Sequence, residues 1–312
     1  MVGQLFTALT AGFSRFVLAW LVPSITTLAL FSLFLFGALD EGHRLGPVGR
    51  IAAKGLLDRS LMFGFAGLVL ALVTALGSRP LYRLLEGYTG PAALRRALLR
   101  RQTRHFHRLR RRLRATPRRH VIRRGLLREE LADYPRDAQD LLPTRLGNAF
   151  RALETYGQTR FGLDSQALWY ELHAVAPDRL RQDIEDARAS VDFFVGFVGQ
   201  LVLLAALGAL TAVVTAGSPA PALLLLMSCL TIARGSYNAA VRNMSDFRFA
   251  VQALVNTARP ALGESLGYRL PSTVEQERVL WQTWSGYVRG DQRYLSPIDS
   301  SRRAITGPSP AA

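Results

Sequence analysis

The sequence predicts an all-α fold: a four-helix transmembrane bundle with an all-helical cytosolic domain. Three observations predict it. Phe16 to Leu39, Ser60 to Ser78 and Phe193 to Ala233 carry no charged side chain. Between Glu86 and Glu129 there is no acidic residue, while Arg95 through Arg128 contribute fifteen arginines. No segment alternates apolar and polar residues for long enough to make a strand.

The first two uncharged runs are each long enough to cross a hydrocarbon core of about 30 Å once as a helix, since a span takes about 20 apolar residues. The third is long enough for two crossings, and Gly217-Ser218-Pro219-Ala220-Pro221 breaks it in the middle. A buried helix of a soluble protein would show a polar face, and Phe31 to Phe36 and Pro221 to Met227 have none. The first run is longer than the core of a secretion signal, and Phe36-Gly37-Ala38 sets a bulky ring where cleavage needs a small side chain, so a retained span is expected. Pro23 lies inside it, tolerable where Ser24, Thr26 or a neighbouring helix re-satisfies the freed carbonyl.

The expected organisation follows. Residues 1–78 form a first transmembrane hairpin with spans at about 16–39 and 60–78, and residues 79–192 a basic cytosolic helical domain. Residues 193–241 form a second hairpin with spans at about 193–216 and 220–241, residues 242–289 cytosolic C-terminal helices, and residues 290–312 a disordered tail. Of the formal net charge of +16, residues 79–192 carry +10, from 24 Arg against 14 Asp and Glu. Because positive residues stay on the cytoplasmic side, both termini and this segment are expected in the cytoplasm of a cell inner membrane.

From Pro91 to Ala115 the pattern is helical, with Leu99, Phe106, Leu109 and Leu113 on one side. Arg96, Arg100, Arg101, Arg104, Arg108, Arg111, Arg112 and Arg114 fall on the other, with Arg95 and Arg110 out of place. Thr116-Pro117 should end the helix, since the residue before proline is pushed from the α region. A basic amphipathic helix near a span can lie along anionic headgroups, so these eight arginines are the expected lipid-binding residues. The competing reading packs the apolar stripe on the rest of the cytosolic domain. Nucleic acid is a poor fit, because Phe106 is the only aromatic in the run. His105, His107 and His120 sit among these arginines, where positive surroundings oppose capture of a cation.

Acids return at Glu129. Thr144 should cap a helix from Arg145 to Tyr156 that Gly157 ends, Asp164 a second through His173, and Asp178 should start a third that runs into the membrane. Arg181-Glu185 and Arg188-Asp192 pairs are spaced along that third helix. Thr144, Arg145, Asn148 and Asp164 make a candidate cytosolic polar site. An acid–base pair of Asp164 or Glu171 with His173 would need a nucleophile or a phosphate loop beside it, and neither is present, so no catalytic residue is assigned. No metal site and no cofactor are expected either. Cys229, the single cysteine, reads as a small buried apolar residue.

Arg234 is the one charge embedded in membrane-like sequence, about 21 Å down a helix starting at Ala220. Its expected partner is Asp192, an intramembrane ion pair between antiparallel spans. Beyond it, Phe247, Val251, Leu254 and Val255 continue a helical stripe to a break at Arg259-Pro260. A capping box, Ser272-Thr273-Val274-Glu275, should open a last helix through Trp281, Trp284 and Tyr287.

Leu81-Tyr82-Arg83-Leu84-Leu85 with Glu86-Gly87-Tyr88, then Leu142-Pro143-Thr144-Arg145-Leu146-Gly147-Asn148, and Arg160-Phe161-Gly162-Leu163-Asp164 before Leu168-Trp169, resemble elements of uncharacterised actinobacterial four-span integral membrane proteins with a basic cytosolic insert. The resemblance implies a bacterial inner-membrane location and directs attention to Pro143 through Asp164; it implies no activity. The reading that follows is a non-enzymatic scaffold or interaction protein that contacts membrane lipids with anionic headgroups and recruits a cytosolic partner not identified by the sequence. Two alternatives are an ion channel or small transporter built as a homo-oligomer, and a membrane-bound enzyme.

Overall fold

Over its described residues each uncharged run of the sequence is mainly helix. The structure, a computed structural model, describes residues 13–39, 56–214, 220–268, 270–290 and 293. Residues 40–55 of the stretch between the first two expected spans, the Gly217-Ser218-Pro219 turn, and the expected tail apart from Gly290 and Arg293 lie outside them.

The described residues are all-helical, with no strand among them. A π-helical turn at Val17–Leu21 leads into α1 (Val22–Leu39), followed by α2 (Leu56–Leu76), α3 (Ser78–Glu86), α4 (Ala92–Ala115) and α5 (Val121–Ala132). Then come α6 (Arg145–Glu154), α7 (Tyr156–Phe161), α8 (Trp169–Val175), α9 (Asp178–Val214), α10 (Ala220–Ser265) and α11 (Val274–Val288).

Among the described residues three helical segments are long and apolar enough to cross a membrane: Phe13–Ser32, Asp178–Leu210 and Leu223–Ser265. Ser60–Leu76 and Ser78–Glu86 meet at a bend of 58° and together make a fourth candidate if they are one broken span. Pro80 has no N–H to give the carbonyl one turn back, which accounts for the break between α2 and α3.

The chain divides into two units. Unit 1 takes Met1–Thr89 and Asp186–Met244; unit 2 takes Gly90–Glu185 and Ser245–Ala312. In unit 1, Leu201, Leu204 and Ala205 of α9 bury against Leu225, Cys229 and Ala233 of α10, with Leu30 and Phe31 of α1 packed alongside. Cys229 is buried there, as a small apolar residue would be. Helices approach closely at Gly199, where a Cβ would stand 2.7 Å from Leu81 Cδ2. Small residues at such contacts let membrane helices gain dispersion energy where lipid offers no hydrophobic drive. At Pro23 the turn before it widens to π geometry, Val22 N–H reaching Val17 O, and Ser24 Oγ donates to Trp20 O at 2.7 Å.

In unit 2, Phe106 and Leu109 of α4 bury against Tyr134 and Leu141, with Leu99, Leu127 and Leu131 completing the cluster. Trp281 of α11 is buried, and its Nε1 donates to Glu277 Oε1 at 2.9 Å.

Several local signals land where expected. Helix α4 stops at Ala115 with Thr116 extended, Thr144 caps α6 by accepting from Gly147 N–H at 3.0 Å, and α9 begins at Asp178. Others do not. Gly157 lies inside α7 rather than ending a helix; a Cβ there would meet Leu163 O at 2.6 Å, so the glycine serves close approach. The break comes at Gly162, whose φ of +75° suits glycine. Helix α10 continues past Pro260 to Ser265. Arg259 Nε donates to Val255 O at 2.9 Å, and Arg259 pairs with Glu277, so packing on α11 carries the helix through the proline. The cap of α11 is Thr273, which accepts from Gln276 N–H, one residue later than the expected Ser272.

Candidate functional site

The Arg-rich segment folds as a helical hairpin. Its apolar stripe is spent inside unit 2: Phe106 and Leu109 are buried, and Tyr134 stacks near Phe106 with centroids 5.8 Å apart while its hydroxyl donates to Gln102 Oε1 at 2.9 Å. Arg124 Nη1 closes the turn between α4 and α5 by donating to Leu113 O at 3.1 Å and Thr116 O at 2.6 Å. The stripe is therefore not a surface that α4 can lay into a leaflet.

The other face is open. Arg96, Arg100, Arg101, Arg104, Arg108, Arg111, Arg112 and Arg114 are all exposed. Among the described residues none of the eight stands in an ion pair with an acid; Arg96 Nε donates only to Ala92 O at 3.3 Å. Arg110, out of place on the wheel, sets its guanidinium 5.2 Å from the Phe106 ring centroid, a cation–π contact that accounts for its position. His105 faces Glu130 at 3.2 Å. What the arrangement can do is electrostatic. Packing inside unit 2 holds one helix side in place and presents the opposite side as fixed positive charge.

Thr144, Asn148 and Asp164 are engaged in local structure. Thr144 caps α6, and Arg145 is exposed. The buried Asn148 side chain is saturated: Nδ2 donates to Leu142 O and Thr144 O at 2.9 and 2.7 Å, and Oδ1 accepts from Leu142 N–H at 2.8 Å. Asp164 Oδ1 accepts from Gln166 and Ala167 N–H at 3.0 and 3.1 Å, and Oδ2 accepts from Arg289 Nε at 2.5 Å. Thr144, Asn148 and Asp164 thus hold local backbone, while Arg145 is exposed. Nearby, burial pushes the Glu154 carboxyl above the usual carboxylate range, with Arg151 at 3.4 Å drawing it back. Among the described residues no three His, Cys, Asp or Glu side chains come together in a cluster.

The structure does not bring Arg234 and Asp192 together. Tyr82, carried on α3, donates its hydroxyl to Asp192 Oδ1, and Arg188 Nε lies 4.0 Å from Asp192 Oδ2. On α10 the buried side is marked by Ala233 and Ser236, and Arg234 leaves on the exposed side. The expected pair fails because helix rotation, which spacing along the chain does not specify, sends the two side chains apart.

Sequence reasoning passed over a different polar group. Gln200 of α9 is buried in the apolar packing of unit 1, and Nε2 donates to Ser24 Oγ at 2.8 Å and Thr74 Oγ1 at 3.2 Å. Its Oε1 accepts from Thr27 Oγ1 at 3.1 Å. One amide thus ties α1, α2 and α9 together. The readable signal was a lone amide in an uncharged run, outweighed by the charge of Arg234. Gln200→Leu is expected to lower stability by about 1–2 kcal/mol, several intramembrane hydrogen bonds at roughly 0.6 kcal/mol each. Ser24 and Thr74 keep their own backbone acceptors, which limits the loss. Thermal unfolding in detergent checks it against Leu203→Ala, a change on an exposed face of the same helix.

No protein-family model, curated protein or solved structure matches this chain.

Proposed function

We propose that the chain is a four-span protein of a bacterial inner membrane, with both termini and residues 79–192 in the cytoplasm, acting as a non-enzymatic scaffold that contacts anionic lipid through the arginine face of α4. The observation that carries this reading is the eight exposed arginines without acid partners among the described residues, on a helix whose apolar side is already buried. A face of that kind offers electrostatic attraction to a surface of opposite charge. Each Arg near an anionic surface contributes on the order of 1 kcal/mol, so eight together give strong lipid selection. The saturated Gln200 network supports a scaffold over a pore, because its polar atoms are used in joining helices.

The experiment uses the full chain reconstituted in bilayers that contain both phosphatidylcholine and a spin-labelled phosphatidylglycerol. Enrichment of the labelled anionic lipid around the protein is expected, falling as salt rises because exposed charges are screened over about 8 Å at physiological ionic strength. The variant with all eight arginines changed to Gln should lose most of the enrichment. Equal enrichment in wild type and variant, insensitive to salt, would sink the reading.

A further inference from the structure

The hairpin's exposed aliphatic cluster lies on α5, while the apolar stripe of α4 is covered. Leu127 and Leu131 of α5 pack on α4, while the opposite side of its first two turns leaves Val121, Ile122 and Leu126 at 73%, 82% and 62% exposure. At 100° per residue these three and Gly125 share one arc of the helix. A Cβ at Gly125 would meet nothing within 4 Å, so no described part of the chain covers this face.

The rim is cationic. Arg118, Arg119 and Arg123 are exposed around the three aliphatic side chains, with Arg112 and Arg114 exposed at the end of α4. The first acid on the same face is Glu129, which marks the lower edge of the patch; Glu130 is turned to His105. A second copy of this surface would set arginines against arginines. A bilayer with anionic headgroups satisfies both parts at once: aliphatic side chains enter the region just below the headgroups, and guanidinium groups stay at the phosphates.

We propose that the start of α5 is a membrane wedge, which inserts Val121, Ile122 and Leu126 into an anionic leaflet while Arg118, Arg119 and Arg123 hold lipid phosphates. The proposal rests on the reading of the α4 arginine face as lipid-facing and adds the residues that penetrate. It divides the work within one hairpin: α4 selects the surface by charge, and α5 enters it.

The test uses the full chain in a Cys229→Ser background with one environment-sensitive fluorophore at Ile122→Cys, reconstituted in vesicles of phosphatidylcholine with or without phosphatidylglycerol. Nitroxides are placed on either the acyl chain or the headgroup of the lipid. A second labelled variant, Arg104→Cys, reports the α4 face, and Tyr170→Cys, at a position 85% exposed in the same unit, is the aqueous reference. The expected result is acyl-chain quenching and blue-shifted emission at position 122 in phosphatidylglycerol vesicles. That quenching should fall several-fold in neutral vesicles and in the Arg118→Gln, Arg119→Gln, Arg123→Gln variant. Headgroup quenching at position 104 with an aqueous signal at 122 overturns the wedge and leaves the α4 reading standing. An aqueous signal at both overturns both. Blue-shifted emission at 122 without quenching by either nitroxide means that protein covers the patch, and this too overturns the wedge.

Discussion

Arg248→Met is expected to destabilise unit 2 by about 3 kcal/mol, the low end of the cost of breaking a buried ion pair from one side, because Asp133 is only half-buried. Arg248 is 3% exposed on α10, and its Nη1 donates to Asp133 Oδ1 at 2.6 Å. Burial already pushes the Asp133 carboxyl above the usual range, and Arg248 is the largest influence drawing it down. Removing the guanidinium leaves only the weaker pull of Arg145 against the upward influences of burial and Glu129. A carboxyl whose folded pKa lies above its unfolded one binds protons more readily when folded, so stability is lost as pH rises through the folded value. The variant should therefore regain stability as pH falls through the raised folded value toward the unfolded one, more steeply than wild type does. Asp133→Asn combined with Arg248→Met should recover part of the loss, since the remaining partner no longer carries a charge. Unfolding in detergent followed by tryptophan emission reports mainly this unit, because Trp169, Trp281 and Trp284 lie in it and Trp20 in the other. A loss well under 1 kcal/mol with no pH dependence would show that the pair is not buried as described.

Gly162→Ala carries the second large expectation. Gly162 ends α7 with φ +75°, and a Cβ there would stand 2.5 Å from Arg278 O and 2.8 Å from Gln282 Cγ on α11. Left-handed backbone costs an alanine about 1–2 kcal/mol, and overpacking against a helix backbone adds about 1–3 kcal/mol. The same approach lets Arg278 Nη2 reach Arg160 O at 3.0 Å and Thr159 O at 3.3 Å, so pushing α11 away also uncaps α7. Gly267 supplies the control: its φ is +80°, but a Cβ would meet nothing within 4 Å. Gly267→Ala should thus pay the backbone cost alone. Thermal midpoints of the two variants separate the contributions, and equal losses would mean that α7 and α11 do not meet at Gly162.

The lipid expectation shows how far a helical wheel reaches. Periodicity placed the eight arginines on one side of α4 and the apolar stripe on the other, and both sides are as expected. What the stripe touches was open. The sequence allows lipid or protein, and the structure packs it on Tyr134, Leu141, Leu127 and Leu131. The exposed aliphatics on α5 were missed because a twelve-residue helix rich in arginine offers little contrast between faces until one face is covered.

By itself the sequence determined that this chain is helical, where its apolar runs lie and where several helices start or stop. Those properties depend on neighbours within one or two turns: Thr116 ahead of Pro117, Thr144 three residues before Gly147, and uncharged runs long enough to span a bilayer. Only the tertiary structure decided which side chains meet. Asp192 takes Tyr82 instead of Arg234, Gln200 gathers hydroxyls from two other helices, and Pro260 stays inside a helix because Arg259 packs on α11. Such pairings depend on how each helix is rotated about its axis and on what packs against it. Residues far apart in the chain settle both, and no local pattern records them.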